Sequence, residues 1–368
     1  MASAKRRIRA AADGVVWMTE VVEERLQWVW RGYIPQGKVT LLDGDPGLGK
    51  STVAYDLAAR LSVGSELPDR RPLCGEPLVC LIVSGEDDFA DTIKPRLRAA
   101  GADMRRIATL ALRHDERGNV IPFTIPEDTA RLGKAIRATN AKFVVIDPIM
   151  AFLSESINSH NDASVRRALG SLTTLGQDTK AAILALRHLN KDQATTKAMY
   201  RGGGSIAISG AARSVLIVAP QRDNPAVKVV AQTKNNLIGA DEAPSLTYSI
   251  KPWNEDRDIP RISWTGTSDM TADDLLRQAD GRRDDYARRD AVAFWKASLA
   301  QGPKPMSEIE TEAEDEGITT STLKRAGKDM GLHKYRRRDR NGRTTGWYAH
   351  LAEHPCPKGC RGSQRVNA

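Results

Sequence analysis

The first two-thirds of the chain alternate short apolar runs with longer segments in which apolar residues recur every three or four positions. This alternation is typical of an α/β fold with a mostly parallel sheet flanked by helices. We therefore predict strands at residues 39–43, 78–84, 107–112, 143–147, 181–186, 214–219 and 227–233. We predict helices at residues 51–62, 91–100, 126–139 and 162–178. Later apolar runs, at 246–250 and 262–264, are predicted to close one edge of the sheet.

The C-terminal part of the chain follows a different pattern. A polar, charge-dense stretch, 267–288, is predicted to be a linker running into a helix that ends at Gly302. Ser307 and Glu310 have the spacing of a capping box that opens a second helix, and Thr319 begins the cap of a third. Two β-like runs around an Asn-Gly turn follow. Helix, helix, basic helix and hairpin together predict a winged helix-turn-helix.

These patterns divide the chain into an N-terminal extension (1–30), an α/β core (31–266), a linker (267–288), a winged-helix module (289–352) and a tail (353–368). A length of 368 residues with 40% hydrophobic positions is enough for two domains. No apolar stretch reaches the length of about 18 residues that a membrane span needs, and the basic N-terminus lacks the apolar region of a secretory signal. Four cysteines do not form a disulfide scaffold in a chain this long, which fits the cytoplasm.

Residues 44–51 match the phosphate-binding pattern G-x-x-x-x-G-K-[ST], between a predicted strand and a predicted helix. Three glycines allow backbone N–H groups to converge on phosphate oxygens, and the helix dipole favours their negative charge. Lys50 is expected to reach the β- and γ-phosphates, and the Ser51 hydroxyl to ligate Mg²⁺. The predicted cradle consists of Gly44, Asp45, Pro46, Gly47, Leu48, Gly49, Lys50, Ser51 and Thr52. The motif predicts that the chain binds ATP with Mg²⁺.

Polar residues follow three of the predicted strands, where the carboxyl ends of parallel strands meet a ligand crevice. Asp147 ends an apolar run, as expected of a Walker B acid that holds Mg²⁺; a cap on the next turn is the alternative. Glu86 is the predicted base for the attacking water, with Asp87 as its competitor. An acidic first helical turn is the alternative for both. His188 is expected to sense the γ-phosphate, the alternative being a structural histidine.

In this order, the motif residues resemble the RecA-like branch of P-loop ATPases, and within it the hexameric replicative helicases of the RepA and DnaB kind. The resemblance implies phosphate and Mg²⁺ contacts from Lys50 and Ser51, a base at Glu86, a Walker B acid at Asp147 and a γ-phosphate sensor at His188. It also implies a homo-oligomeric ring, expected to be a hexamer, with single-stranded DNA in its central channel. Further expected partners are a primase or a replication initiator.

RepA-like proteins place an arginine finger across the subunit boundary. Arg213 is the better candidate for that finger, which leaves Arg201 for DNA or loop anchoring. Lys234 resembles a basic residue that some relatives also extend toward a neighbour's γ-phosphate. The loop 191–205, which includes Lys191, lacks periodicity and is expected to contact DNA in the channel. A DnaB-type primase-binding domain is not expected, since only residues 1–30 precede the core.

Most of the net charge of +9 lies in the C-terminal quarter of the chain, which indicates a polyanion-binding module. On the third helix, the predicted DNA contacts in the major groove are Lys324, Arg325 and Lys328. On the wing, they are Arg336, Arg337, Arg338, Arg340 and Arg343. A protein-contact role is the alternative. Cys356 and Cys360, with His354 nearby, resemble half of a zinc knuckle; because one C-x₃-C pair cannot fill a tetrahedral site, a metal-free tail is favoured.

The favoured function is an ATP-driven, ring-forming DNA motor with a duplex-binding winged helix, acting as a replicative-type DNA helicase of a phage, plasmid or mobile element. The first alternative is a RecA-like ATPase without helicase activity, such as a helicase loader or a recombination mediator. The second is a DNA-binding regulator whose ATPase sets its oligomeric state.

Overall fold

The computed structural model describes residues 15–73, 75–111, 113–154, 162–189, 206–221, 223–239, 242–338 and 344–351. The chain forms two compact units, Met1–Leu276 and Arg277–Ala368. The stretch 267–288, predicted as a linker, is largely helical, because one helix runs from Ala272 to Ser298. Among the described residues, every helix is too short or too polar to cross a membrane.

The first unit is an α/β structure built from short strands and five helices among its described residues. Its strands are β1 (Trp28–Trp30), β2 (Ile34–Pro35), β3 (Val39–Gly44), β4 (Cys80–Ser84), β5 (Ile107–Thr109), β6 (Arg113–His114), β7 (Val120–Ile121), β8 (Phe143–Asp147), β9 (Ala182–His188), β10 (Ser214–Pro220), β11 (Val227–Asn235), β12 (Ser245–Pro252) and β13 (Pro260–Ser268). Its helices are α1 (Lys50–Val63), α2 (Lys94–Ala99), α3 (Thr129–Thr139), α4 (Asp162–Thr179) and α5 (Ile206–Ala211).

In the described part of the chain, the main sheet has nine strands in the order β13-β12-β11-β10-β3-β9-β8-β4-β5. The six strands from β10 to β5 are parallel, whereas β11, β12 and β13 extend the sheet in antiparallel fashion. The parallel strands are continuous apolar runs because helices cover both faces of the sheet; β8, for example, is buried at every position. The predicted α/β class is confirmed, as is the closure of one edge by the last two strands.

Two hydrophobic clusters fill the two faces of this sheet. On one face, α1 packs with Trp30 and Tyr33, whose rings stack with centroids 4.1 Å apart. On the other face, residues of α3 and α4 pack against alternate residues of the same parallel strands. The P-loop strand β3 contributes to both clusters, through Leu42 on the first and Leu41 on the second. The loop at residues 44–51 therefore follows a strand that is covered on both faces of the sheet.

Several predicted boundaries are wrong for local reasons. The helix predicted from 126 begins at Thr129, because the Asp128 carboxylate accepts the Thr124 backbone N–H (3.1 Å) and pairs with Arg113 (2.7 Å). The strand predicted to reach 112 ends at Thr109. The short strands β1, β2, β6 and β7 were not predicted, since two or three residues carry no readable periodicity. The six-residue helix α5 was not predicted either.

The second unit contains α6 (Ala272–Ser298, shared with the first), α7 (Met306–Asp315) and α8 (Thr320–Asp329), with the short strands β14 (Lys304–Pro305), β15 (His333–Arg338) and β16 (Thr344–His350). The strands form an antiparallel sheet in the order β14-β16-β15. The Trp295 indole, 1% exposed, donates to the Leu323 carbonyl at 2.9 Å and ties α6 to α8. The predicted Asn-Gly turn between β15 and β16 lies outside the described residues.

The caps of the two short helices differ from each other. Thr319 caps α8 as predicted, because its Oγ1 accepts the backbone N–H of Thr322 at 3.3 Å. The predicted capping box at Ser307 and Glu310 is wrong: α7 begins at Met306, and its N-cap residue Pro305 makes no side-chain cap bond. Pro305 is paired with β16, so the chain turns directly from strand into helix and Ser307 is already helical.

Candidate nucleotide-binding site

The loop between β3 and α1 has the backbone that the glycine pattern predicts. Gly47 and Gly49 have φ angles of +75° and +82°, a left-handed conformation that favours glycine. A Cβ atom at Gly44 would lie 2.8 Å from the Val218 carbonyl oxygen on β10. Each of these three glycines is therefore required by geometry, and the chain is free to wrap a phosphate group before α1 begins at Lys50.

The antiparallel extension of the sheet supports this loop from the side. The Tyr248 hydroxyl on β12 donates to the Leu48 carbonyl at 2.7 Å. A Cβ atom at Gly49 would lie 2.5 Å from Ile250 Cδ1, so β12 packs directly on the loop backbone. Trp264 on β13 donates to Asp56 of α1 at 2.8 Å. These contacts could not be predicted from the sequence, because residues 200 positions apart in the chain give no local signal.

The Lys50 ammonium is held at the base of the loop. It donates to the Gly44 carbonyl (2.9 Å) and the Asp45 carbonyl (3.0 Å), and its Nζ lies 3.2 Å from Nδ1 of His188. Because an ammonium group has only donors, Nδ1 must be the acceptor, which makes His188 a neutral imidazole with its proton on Nε2. Burial lowers the pKa of Lys50, and carboxylates including Asp147 oppose that shift. The pKa of His188 is lowered by burial and by Lys50.

Asp147 lies at the carboxyl end of β8, opposite Ser84 at the end of β4. It is buried, and the Tyr55 hydroxyl donates to its Oδ2 at 3.4 Å. Burial raises the pKa of Asp147 to about 6; the hydrogen bond from Ser51 opposes the shift, and the nearby carboxylates of Asp87 and Glu86 add to it. A divalent cation would relieve this crowding of negative charge, and hydroxyl and carboxylate oxygens are the ligands that Mg²⁺ prefers. Ser51 and Asp147 therefore fit the predicted Mg²⁺ site.

Glu86 and Asp87 follow β4 and differ in their environment. Asp87 forms an ion pair with Arg96 on the helix α2, with a separation of 2.9 Å. Glu86 is exposed. Its carboxylate lies close enough to raise the pKa values of Lys50, Asp147 and His188, although it is not the main cause of their shifts. This difference favours Glu86 over Asp87 as the residue that meets an attacking water.

A buried ion pair joins the P-loop strand to the strand that carries His188. Arg187 contacts Asp43 through two hydrogen bonds, Nε to Oδ1 at 2.9 Å and Nη2 to Oδ2 at 2.6 Å, and also donates to Ser209 Oγ at 2.9 Å. The Arg187 side chain is fully buried and that of Asp43 is 5% exposed. Arg187 directly precedes His188, and Asp43 directly precedes Gly44. The ion pair therefore fixes the position of the predicted γ-phosphate sensor, His188, relative to the P-loop. Neither residue of the pair was predicted from the sequence to have a role in the site.

Arg213 and Lys234, the candidates for contact with the γ-phosphate of a neighbouring subunit, lie away from the P-loop of their own chain. Arg213 is exposed, and its backbone N–H donates to the Val39 carbonyl at 3.1 Å, at the amino end of β3. Gly44 lies at the other end of β3, about 16 Å along the strand, which exceeds the length of an arginine side chain. The Lys234 ammonium donates to the carbonyls of Ser209, Gly210 and Ala212 at the end of α5. Neither residue reaches the P-loop of its own chain.

The predicted DNA contacts lie partly outside the described residues, which is the case for Lys191, Arg201, Arg340, Arg343 and the side chain of Arg338. On α8, Lys324, Arg325 and Lys328 are all exposed, while Leu323 and Ala326 are buried. On β15, the exposed Arg336 lies over the Trp347 ring at 4.8 Å, and Arg337 lies over the Tyr348 ring at 5.3 Å. The second unit therefore presents a basic helix face and an arginine-aromatic strand face.

Residues 5–194 match the model of a family described as an AAA domain, and this match covers just over half of the chain. The chain belongs to this AAA domain family. Together with the P-loop, membership implies ATP binding and hydrolysis, usually with Mg²⁺. The strand order, with β9 between the P-loop strand and the strand of Asp147, agrees with the RecA-like core predicted from the sequence.

Individual proteins similar to this AAA domain chain come from bacteria and archaea. The DNA repair protein RadA of Halalkalibacterium halodurans is 28% identical over 173 residues, which are 46% of this chain and 32% of that protein. RadA of Mycobacterium tuberculosis strain H37Rv is 26% identical over 254 residues, which are 65% of this chain and 45% of that protein. The chain thus spans less than half the length of these curated relatives. The KaiC-like protein PH0186 of Pyrococcus horikoshii aligns with a TM-score of 0.42 and 16% identity, over 62% of this chain and 91% of that one.

Proposed function

We propose that the chain is an ATP-hydrolysing DNA motor that works as a ring, with replicative-type strand separation as its activity. The observation that carries the proposal is the separation of each P-loop from Arg213 of the same chain, by about 16 Å along β3. Transfer of the γ-phosphoryl group to water develops charge that a well-placed arginine stabilises. A neighbouring copy, with its Arg213 edge against this P-loop, would supply that charge.

The geometry of the site supports a sequence of events for hydrolysis. ATP phosphates draw the Lys50 ammonium from the loop carbonyls and from His188, which frees Nδ1 of the histidine. Asp147 and Ser51 would hold Mg²⁺, which would supply positive charge against the phosphates when bound. Glu86 accepts the proton of the attacking water as its oxygen bonds to the γ-phosphorus, while the bond from that phosphorus to the β–γ bridging oxygen breaks and ADP leaves. His188 then reports the loss of the γ-phosphate to the segment that follows β9.

The second unit supports a DNA partner. Its three helices and antiparallel strands follow the order of a winged helix-turn-helix, in which the third helix enters the major groove. Lys324, Arg325 and Lys328 are exposed on that helix, as a phosphate or base contact requires. Arg336 lies over the Trp347 ring and Arg337 over the Tyr348 ring, so β15 carries two positive charges that can attract phosphate oxygens. We infer that this unit tethers the motor to duplex DNA mainly through phosphate contacts.

The test is ATP-dependent strand displacement on a forked duplex, with Lys50→Ala as the inactive control. A mixing experiment tests the ring. Arg213→Ala and Lys50→Ala proteins should each be inactive, and their mixture should recover part of the activity, because a mixed interface joins one intact P-loop to one intact Arg213. If the two variants co-assemble and no activity returns, Arg213 does not act across the interface.

A second candidate is a RecA-like ATPase that remodels DNA complexes without separating strands, such as a loader or a recombination mediator. The similarity to proteins named DNA repair protein RadA favours this candidate. DNA-stimulated ATP hydrolysis without strand displacement at any enzyme concentration would select it. The regulator hypothesis predicts instead a preference above about 10³-fold for one duplex sequence, a ratio typical of specific operators.

A further inference from the structure

A lysine on β11 closes the end of the short helix α5 in its own chain. The Lys234 ammonium donates to the carbonyls of Ser209 at 3.0 Å, Gly210 at 3.2 Å and Ala212 at 3.0 Å. The last carbonyls of a helix have no partner within it, and a lysine placed there satisfies them and opposes the negative end of the helix dipole. The next residue along the chain is Arg213, so Lys234 holds the backbone from which that arginine projects.

The hydrogen bonds of Lys234 use all the donors that its side chain has. An ammonium group carries three donors and no acceptor, and each of the three carbonyls takes one. Burial lowers the pKa of Lys234, and the nearby positive charge of Arg213 lowers it further. A contact with a neighbour's γ-phosphate, the role that the family resemblance implies for Lys234, would require it to release these carbonyls. The contacts therefore favour a role inside its own chain.

The backbone on either side of Arg213 is fixed as well. The Ala212 carbonyl accepts one of the lysine bonds, and the Arg213 backbone N–H donates to the Val39 carbonyl at 3.1 Å. The Ser214 hydroxyl donates to the Tyr33 carbonyl at 2.7 Å. Ala212 and Ser214 are buried, whereas the Arg213 side chain is exposed. An exposed guanidinium on a fixed backbone suits a group that must be in place before charge develops in a transition state.

A second side chain ties α5 to the nucleotide site of the same chain. The Arg187 guanidinium, which pairs with Asp43, also donates to the Ser209 hydroxyl at 2.9 Å. Ser209 is 2% exposed, and its carbonyl is one of the three that accept from Lys234. The helix is therefore held from two sides, by Arg187 on β9 and by Lys234 on β11.

We propose that Lys234 is a positioning residue for Arg213: it closes the end of α5 and sets the direction in which the arginine leaves its own chain toward the γ-phosphate of a neighbouring copy. This role rests on the proposed function, in which Arg213 acts across the subunit boundary. Lys234 forms and breaks no covalent bond and gives up no proton. Its effect on hydrolysis is carried by the guanidinium of Arg213, whose charge stabilises the transferring phosphoryl group.

A double-mutant cycle in steady-state ATP hydrolysis by the full-length protein tests this role. Lys234→Met keeps the apolar stem and removes the ammonium. We expect it to lower kcat by about 10²-fold, the loss that a misplacement of about 1 Å can cause. The KM for ATP should change little, because the P-loop is unaltered. In the Arg213→Ala background, Lys234→Met should cause no further loss, since the residue that it positions is gone.

Lys228→Met is the matched control, because Lys228 lies on the same strand and its ammonium donates to the Ala226 carbonyl at 3.0 Å. This variant should keep the wild-type kcat. A mixing experiment separates positioning from general support of the fold. A mixture of Lys234→Met and Lys50→Ala proteins should recover part of the activity, because the intact P-loop of one meets the correctly held Arg213 of the other. Lys234→Met should also bind ADP with Mg²⁺ at wild-type affinity in titration calorimetry.

A wild-type kcat in Lys234→Met would overturn the proposal. Losses that multiply in the double variant would overturn it too, because Lys234 would then contact the phosphate itself. So would a mixture of Lys234→Met and Lys50→Ala that co-assembles without recovery while the Arg213→Ala mixture recovers, because the defect would then lie in the chain's own site.

Lys234→Gln, which keeps a donor at this position, takes the place of Lys234→Met in the cycle if the methionine variant does not bind ADP. Failure of both variants to bind ADP would overturn the proposal, because Lys234 would then support the whole unit rather than Arg213. Wild-type turnover in Arg213→Ala is a separate result. It would refute the action of Arg213 across the boundary, and with it the role of Lys234 that rests on that action.

Discussion

Replacing Arg187 with methionine removes the guanidinium group and leaves the Asp43 carboxylate buried beside the P-loop without its bidentate partner. Breaking a buried ion pair by removing one member costs about 3–5 kcal/mol of folding free energy. The upper part of that range is expected here, because Arg187 is fully buried, makes two hydrogen bonds to Asp43 and makes a third to Ser209. The double variant Asp43→Leu/Arg187→Met removes both charges and should recover most of the loss.

The assay is urea unfolding of the full chain, followed through the transition that shifts on addition of ADP and Mg²⁺, since that transition belongs to the first unit. Lys180→Met is the matched control: its ion pair with Glu24 is exposed, at 61% and 73% for the two side chains, so its loss should cost far less than the loss of the buried pair. A cost of Arg187→Met no larger than that of the control would refute the reasoning. So would a double variant as unstable as the sum of its two single variants, because the loss would then not come from an uncompensated charge.

Three further predictions concern the nucleotide site. Glu86→Gln should keep ATP binding but lose turnover, because an amide cannot accept the proton of water; a wild-type rate in single-turnover measurements would transfer the role of base to Asp87. Mg²⁺-dependent nucleotide binding should weaken below about pH 6, by about tenfold per pH unit, because protons compete with the metal for a carboxyl group whose pKa is raised to about 6. Titration calorimetry of Asp147→Asn should show no such dependence, and an unchanged profile would contradict the assignment. Tyr248→Phe keeps the ring but removes the hydrogen bond to Leu48, so the ADP-sensitive unfolding transition should lose about 1–2 kcal/mol, and an unaltered transition would show that the bond gives the loop no support.

The parts of the molecule that were predicted from sequence are those with a local signal. The strand of Asp147 is apolar along its whole length because it is covered on both faces, and its predicted bounds match those observed. Lys50, Asp147, Glu86 and His188 were each identified from a strand end or a motif. The parallel topology then brings them to one edge of the sheet, as the strand ends of such folds require.

What could not be predicted depends on register and on distant pairing. Asp43 and Arg187 are 144 positions apart, and they face each other only because β3 and β9 pair in one particular register. Tyr248 supports the P-loop from a strand whose place in the sheet is set by two intervening antiparallel pairings. The failure at Ser307 has the same origin, because pairing of Pro305 with β16 decides where α7 begins.

The central place of β3 has a consequence for any attempt to isolate the catalytic part. The segment that matches the family model ends at residue 194, before β10, although β10 pairs with β3 from Ser214 to Val218. A fragment cut at that boundary would turn the P-loop strand into the border of its sheet, with a row of unsatisfied N–H and C=O groups. Such borders pair with other molecules, so the fragment would be prone to self-association through the same strand that carries its nucleotide loop. We therefore expect an ATPase fragment to stay soluble only if it keeps the strands through β13, well beyond the segment that matches the family model.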